Sequence, residues 1–164
     1  MKKIGLLSDT HGYIDEKIMN FFQDRDEIWH AGDIGNIEIA HGISKIKPLK
    51  AVYGNIDGQD VRIVYPQIQS FKCEEVQVLM THIGGYPGKY EKSMKEAISR
   101  LKPNLFISGH SHILKVIYDD KNDLLHINPG ASGKSGMHRL QTAVRFEIDG
   151  TEIKNLEVFE KQRG

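Results

Sequence analysis

One cysteine, Cys73, is all the thiol chemistry the sequence holds, so no disulfide can form within the chain. A reducing compartment suits such a chain. No apolar run approaches the roughly 20 residues that cross a bilayer, so a membrane-spanning role is not expected. Charge of one sign is missing as well: 22 Lys+Arg balance 22 Asp+Glu. That balance excludes a broad electrostatic grip on nucleic acid or acidic lipid and leaves only local positive sites. Repeats, low-complexity tracts and linker-like stretches are all lacking. The opening Met1-Lys2-Lys3-Ile4-Gly5-Leu6-Leu7 is like the start of a signal peptide. Ser8-Asp9-Thr10-His11-Gly12 breaks it before an apolar region develops, and the expected location is cytoplasmic.

What is present is a chain of 164 residues, 39% apolar and 27% charged. This is the length of one domain, expected to run over 1–164. A domain of that size buries about 70% of its unfolded surface and can dispense with covalent staples.

The hydrophobic pattern predicts strands near 3–8, 27–30, 50–53, 76–80 and 105–108, with helices over 14–23, 37–46 and 91–101. Further strands are expected near 114–118, 124–127, 142–148 and 153–159. Turns at Asp119–Asp123 and Asp149-Gly150 suit hairpins. The first half reads β-α-β-α-β and the second as mostly antiparallel strands. Two sheets packed face to face with helices outside is the economical arrangement.

Polar residues gather where these strands end. Five clusters follow in order: Asp9-Thr10-His11, Gly32-Asp33, Gly54-Asn55-Ile56-Asp57, Thr81-His82 and Gly109-His110-Ser111-His112. Carboxyl ends of strands are where α/β sheets assemble their sites. Pairs at i, i+2 send both side chains the same way, and the neighbouring glycines let the backbone turn and approach a ligand. Together the clusters offer two carboxylates, four imidazoles and one amide oxygen, with no thiolate. Such a set suits manganese first, with nickel, iron, cobalt or zinc as alternatives, and suits calcium poorly. It exceeds one tetrahedral site and matches two divalent ions sharing a carboxylate.

The blocks D-x-H, G-D, G-N, H and G-H-x-H resemble those of the calcineurin-like metallophosphoesterase superfamily. Gly54-Asn55-Ile56-Asp57, Asn128-Pro129-Gly130 and the short chain are similar to its small single-domain phosphodiesterases of the YfcE type. The resemblance implies an α/β fold, a four-layer α/β/β/α sandwich of two mixed sheets flanked by helices. It also implies that Asp9, His11 and His112 hold one metal with Asp33, that Asn55, His82 and His110 hold the second, and that Asp33 bridges them. Asp33, Asn55 and His82 would then be central to catalysis, with Asp57 orienting a neighbouring ligand. The implied reaction is phosphodiester hydrolysis by in-line attack of a hydroxide shared by the two ions.

The sequence departs from the resemblance at Ile56, where many members carry a histidine able to protonate the leaving group. General-acid help is typically worth about 10²–10⁴-fold, so another donor or slower turnover on poor leaving groups is expected. His138, in the loop 133–139, is a candidate donor. Lys134 and Arg139 in that loop are candidate phosphate contacts, although Ala131 interrupts the family's usual Asn-Pro-Gly-Ser run.

Taken singly, each cluster has an ordinary explanation. Asp9 or Thr10 could cap a helix, and Gly-Asp and Gly-Asn are common turn dipeptides. Their recurrence at five strand ends is what sets them apart. His30, His126 and Trp29 read as core residues, His41 as an exposed helix residue, and Cys73 as inert. The expected partner is a small phosphate ester, with nucleic acid and membrane disfavoured and a homo-oligomer left open. The competing function is a non-catalytic metal-binding scaffold, resembling the retromer subunit of the same fold.

Overall fold

The computed structural model describes residues 1–163. The chain runs β1 (Lys2–Leu7), α1 (Glu16–Phe21), β2 (Glu27–His30), α2 (Ile37–Ser44), β3 (Leu49–Ala51), α3 (Gln59–Arg62), β4 (Ile68–Cys73) and β5 (Val76–Thr81). It continues through β6 (Gly85–Tyr86), β7 (Lys89–Tyr90), α4 (Lys92–Leu101), β8 (Leu105–Ile107), β9 (Leu114–Asp119), β10 (Leu124–Pro129), β11 (Leu140–Asp149) and β12 (Glu152–Gln162). Two five-stranded sheets form, in the orders β12-β11-β1-β2-β3 and β4-β5-β8-β10-β9, beside a small β6-β7 ribbon. Both sheets are mixed. In the first, β1, β2 and β3 are parallel and β11 is antiparallel to β1. In the second, β5, β8 and β10 are parallel, flanked by antiparallel β4 and β9.

Alternation along the strands sorts the apolar residues into layers. Ile4, Leu6, Trp29 and Phe146 of the first sheet meet Val78, Met80, Leu105 and Ile107 of the second. Trp29 anchors this inter-sheet core, with its ring edge-on to Phe71 at 5.1 Å and to Phe146 at 5.9 Å. Its indole N–H donates to Glu27 Oε1 at 2.7 Å, so the one polar atom of the ring is not left unpaired. On the outer face of the first sheet, Leu7 and Ile28 pack with Ile18, Phe22 and Ile43 from the α1 and α2 segments. On the outer face of the second, Leu79, Phe106 and Leu124 take Met94, Ala97 and Ile98 of α4. Those three residues fall at helical spacing on one stripe of α4. The result is the α/β/β/α sandwich expected from the resemblance.

Local chemistry fixes the helix starts. The Asp15 carboxylate accepts from the Lys17 amide at 2.8 Å, and the Asn36 side chain accepts from the Ile39 amide at 3.2 Å. Among the described residues no helix is long and apolar enough to cross a membrane. The second half is mostly antiparallel as expected, through β9-β10, β11-β12 and β1-β11, with a parallel exception around β8. There, α4 makes a crossover that returns β8 parallel to β5, and β10 adds parallel to β8.

Parallel strands share a direction, so their carboxyl ends lie together. Clusters from β1, β2, β3, β5 and β8 therefore converge along one rim of the sandwich.

Candidate metal centre

Main-chain hydrogen bonds stitch the rim loops together. The Asp9 amide donates to the Gly32 carbonyl at 2.9 Å, the His11 amide to Asp33 at 3.0 Å, and the Gly109 amide to His82 at 2.9 Å. Fully buried His30 adds a side-chain stitch. Its Nδ1 accepts from the Gly32 amide at 3.1 Å, which leaves its Nε2–H to donate to Thr10 Oγ1 at 2.9 Å. His30 is thus a satisfied core histidine that joins the first loop to the second, as its place in a strand suggests.

Two trios emerge: Asp9, His11 and His112, and Asp33, His82 and His110. Within each trio the candidate ligand atoms lie inside 4.8 Å of one another. Asp33 stands between them, its Oδ2 lying 3.3 Å from His11 Nε2 and 3.2 Å from His82 Nε2. Asp9 Oδ1 is 3.2 Å from His112 Nε2, 3.7 Å from His82 Nε2 and 3.8 Å from His11 Nε2. Asn55, the seventh candidate, lines the same cavity as His82, and the next amide, that of Ile56, donates to Asp33 Oδ1 at 3.1 Å.

Each shared side chain is held so that one atom stays available. Asp9 Oδ2 accepts from the Ser8 hydroxyl at 2.6 Å and from the His110 amide at 3.1 Å. The ring Nδ1–H of His82 donates to the Ala31 carbonyl at 2.8 Å, which fixes the tautomer and turns Nε2 toward the carboxylates. Asp9 Oδ1, His11 Nε2 and His82 Nε2 are buried with no hydrogen-bond partner. Buried polar atoms without partners are costly, and here three of them point at a common space between two carboxylates. A divalent cation fits that donor set, with mixed nitrogen and oxygen ligands and no sulfur.

The electrostatics agree. Burial works to raise the Asp9 carboxyl, but His11, His112, His82 and Ser8 outweigh it and hold it well below the usual carboxylate range. Burial likewise opposes ionisation of Asp33, and His82 beside it lowers its pKa nonetheless. His11 is raised chiefly by its contact with Asp9. For His82, burial acts to lower its pKa and the two carboxylates more than reverse that. Negative carboxylates facing imidazoles create a cation-seeking centre.

The backbone carries strain at the same residues. Asp9, His11, Asp33, His110 and His112 adopt φ of 54°, 47°, 57°, 72° and 63°, in the left-handed region that side chains usually avoid. Gly54 and Gly109 allow close approach. A Cβ on Gly54 would sit 2.1 Å from Asp33 Oδ1, and one on Gly109 would sit 2.3 Å from Ser8 Oγ.

Asp57 differs from its expected partner. Its carboxylate reaches main-chain amides, those of Ile34 at 3.1 Å, Gly35 at 2.8 Å and Gly54 at 2.8 Å. It therefore locks the Asp33 loop to the Asn55 loop instead of orienting a ligand side chain. His138 does come against the centre, its ring edge-on to His112 at 5.0 Å. Its Nε2–H donates to the Gly133 carbonyl at 2.8 Å, and burial lowers its pKa, so the neutral ring has no second proton to give. That geometry makes it a poor proton donor. Lys134 lies over the Tyr13 ring at 4.3 Å, and Arg139 is exposed, with no side-chain partner among the described residues. Neither is drawn into the trios.

Sequence reasoning missed Ser8 and also Arg62, which lines the same cavity as Asn55 and His82 and whose Nε donates to the Asp57 carbonyl at 2.6 Å. Ser8 precedes Asp9 and looks like any strand-end serine. Arg62 lies seven positions beyond Asn55 on a one-turn helix that the apolar periodicity does not signal.

A family model for the calcineurin-like phosphoesterase superfamily domain matches residues 1–151. A probable metallophosphoesterase of Methanothermobacter thermautotrophicus is 29% identical over 133 residues, covering 78% of this chain and 76% of its own length. Another, of Mycoplasma pneumoniae, is 29% identical over 136 residues, covering 80% and 79%. Among solved structures, Vps29 of Chaetomium thermophilum aligns over 100% of both chains with a TM-score of 0.77 at 13% identity. A novel archaeal phosphodiesterase aligns over 96% of this chain and 99% of its own, with a TM-score of 0.74 at 23% identity. At such identities the structural likeness carries the fold alone.

Proposed function

The chain belongs to the calcineurin-like phosphoesterase superfamily, and on that premise we propose that it is a dinuclear metal-dependent phosphodiesterase acting as one domain over 1–164. The observation that carries this reading is the convergence of the two trios on buried, partnerless ligand atoms. A chain that bound no metal would have little physical reason to keep such atoms unsatisfied. Asp9, His11 and His112 would hold one ion, and Asn55, His82 and His110 the other. Asp33 would contribute to both, because its Oδ2 already lies between His11 and His82. Manganese leads among the metals, with the other divalent first-row ions as alternatives.

When bound, the ions would supply positive charge for the phosphoryl oxygens and activation of water near neutral pH. The chain's own residues do the remaining work. Ser8 and the His110 amide keep Asp9 aimed while His11, His112 and His82 favour its ionised form, the Ala31 carbonyl keeps His82 in one tautomer, and Asp57 keeps the Asn55 loop against the Asp33 loop. At the position after Asn55, Ile56 is exposed and brings no proton donor. Esters with good leaving groups should therefore be preferred over alkyl esters.

A second reading, a non-catalytic metal-binding scaffold, is left open by the Vps29 likeness over the whole chain. Manganese reconstitution followed by hydrolysis of bis-p-nitrophenyl phosphate and p-nitrophenyl phosphate separates the two. The wild type should cleave the diester faster than the monoester, and Asp33→Ala and His82→Ala should each lose about 10²-fold or more. Two bound ions with no hydrolysis would favour the scaffold. Full activity in both variants would remove the site assignment.

A further inference from the structure

A cavity of about 210 Å³ opens beside the second trio. Asn55 and His82 line it together with Tyr53, Arg62, Gln67 and Thr81. Because His82 belongs both to the second trio and to this lining, the cleft is within reach of an ester arm on a phosphate held at the trios. Among the described residues that line it, Arg62 is the one charged side chain besides the histidine.

Arg62 is held, yet its charge is not neutralised. Its Nε donates to the Asp57 carbonyl at 2.6 Å, and its Nη2 lies 3.4 Å from the Asn55 carbonyl and 3.5 Å from that of Gly54. Its guanidinium sits 4.5 Å over the Tyr53 ring. These partners are main-chain carbonyls and a ring face, and none is a carboxylate. The nearby carboxylate of Asp57 is committed to the amides of Ile34, Gly35 and Gly54. Nη1 and the weakly engaged Nη2 remain to donate. A guanidinium oriented in advance, stacked and left without a counter-ion binds an anion with little ordering cost. Gln67 and Thr81 also line the cavity, the Thr81 hydroxyl donating to the Gln67 carbonyl at 3.4 Å, and the Gln67 side-chain amide adds a neutral hydrogen-bonding group.

We propose that Arg62 is a specificity-determining residue and that the substrate carries a second anionic group, a phosphate, on the ester arm that enters the Tyr53–Arg62 cleft. This rests on the phosphodiesterase reading for the position of the scissile phosphate. It goes beyond that reading in naming the chemistry of the arm.

Equilibrium binding to manganese-loaded protein tests it, using thymidine 3′,5′-bisphosphate against thymidine 5′-monophosphate. The bisphosphate should bind about tenfold tighter, the worth of one charge-assisted contact. Arg62→Gln should bring that ratio close to one, and Arg62→Lys should keep part of it. Gln67→Glu, which leaves the Arg62 carbonyl contacts in place, should also collapse the ratio by adding a negative charge to the cleft. The ratio is internal to each variant, so a general disturbance of the Asn55 loop weakens both ligands alike and leaves it unchanged. Equal affinities in the wild type, no binding of either ligand, or a ratio that survives Arg62→Gln would each overturn the proposal. If the ratio behaves as expected while bis-p-nitrophenyl phosphate is not hydrolysed, the anion cleft stands and the phosphodiesterase reading fails.

Discussion

Ser8 contributes a hydroxyl whose whole effect is exerted through its neighbour. By donating to Asp9 Oδ2 at 2.6 Å, it satisfies one carboxylate oxygen and leaves Oδ1 turned toward three imidazoles. Replacing Ser8 with Ala keeps the small volume and removes the donor. Partners of this kind, one contact behind the ligands, typically govern metal affinity by about 10–100-fold. Ser8→Ala should therefore lower manganese affinity by about that factor in a chelator-competition titration, with an unchanged circular dichroism spectrum. Undiminished affinity would show that the His110 amide alone suffices to aim Asp9. At this scale the candidate clusters were legible, because Asp, His and Asn beside Gly at strand ends is an unusual local composition. Ser8 and Arg62 were not, because what they contact depends on what lies opposite them in space, whereas His30 was readable as a core histidine.

The strands that carry the clusters were legible in part because they are buried on both faces and read as apolar runs. β4 was not. Its residues Ile68–Cys73 alternate between exposed and half-buried along a sheet edge, and only Cys73 is buried. The β6-β7 ribbon and α3 are too short to produce periodicity. The parallel return of β8 was hidden for a different reason, since strand direction is set by the α4 crossover and not by strand composition. α4 itself ends with Lys102 at φ 47° and ψ 58°, a left-handed cap occupied by a side chain in front of Pro103. Glycine fills such caps without steric cost. Lys102→Gly should stabilise the protein by about 1 kcal/mol in urea unfolding. The position is remote from the trios, so metal binding should not change. A destabilised variant would mean that the lysine stem contributes packing worth more than the cap strain.

Across the whole molecule, acid sensitivity follows from two histidines buried in neutral form. His126 is stacked on Phe106 with its Nδ1–H donating to the Phe106 carbonyl at 3.1 Å, and burial pushes its pKa down to about 4. Burial likewise takes His30 down to about 4. The unfolded chain binds a proton at each near pH 6.5, so between that value and 4 the unfolded state holds more protons than the folded one. Stability must therefore fall as pH falls through this window. Between pH 7 and 5 the wild type should lose about 2 kcal/mol more than His126→Leu, read from urea denaturation at the two pH values. Equal losses would place the His126 pKa near that of the unfolded chain. The two-sheet architecture was readable as a class, since the strand count, the outer helices and the hairpin turns all pointed to it. His126 was readable as a core residue from its place between Leu125 and Ile127, while the Phe106 ring and carbonyl that meet it were not, because they come from a different strand.

Five candidate ligands sit in left-handed backbone, and this sets a direction for change over generations and in the laboratory. A stabilisation campaign that ranked positions by backbone comfort would select glycine at Asp9, His11, Asp33, His110 and His112, gaining about 1 kcal/mol at each. Its best-scoring product would be a robust protein with an empty rim. Drift under relaxed selection runs downhill along the same path. Descendants that shed the chemistry should thus keep the loops and the sandwich while glycine or asparagine replaces the occupants one by one. The return journey, against the strain, would require selection at every step.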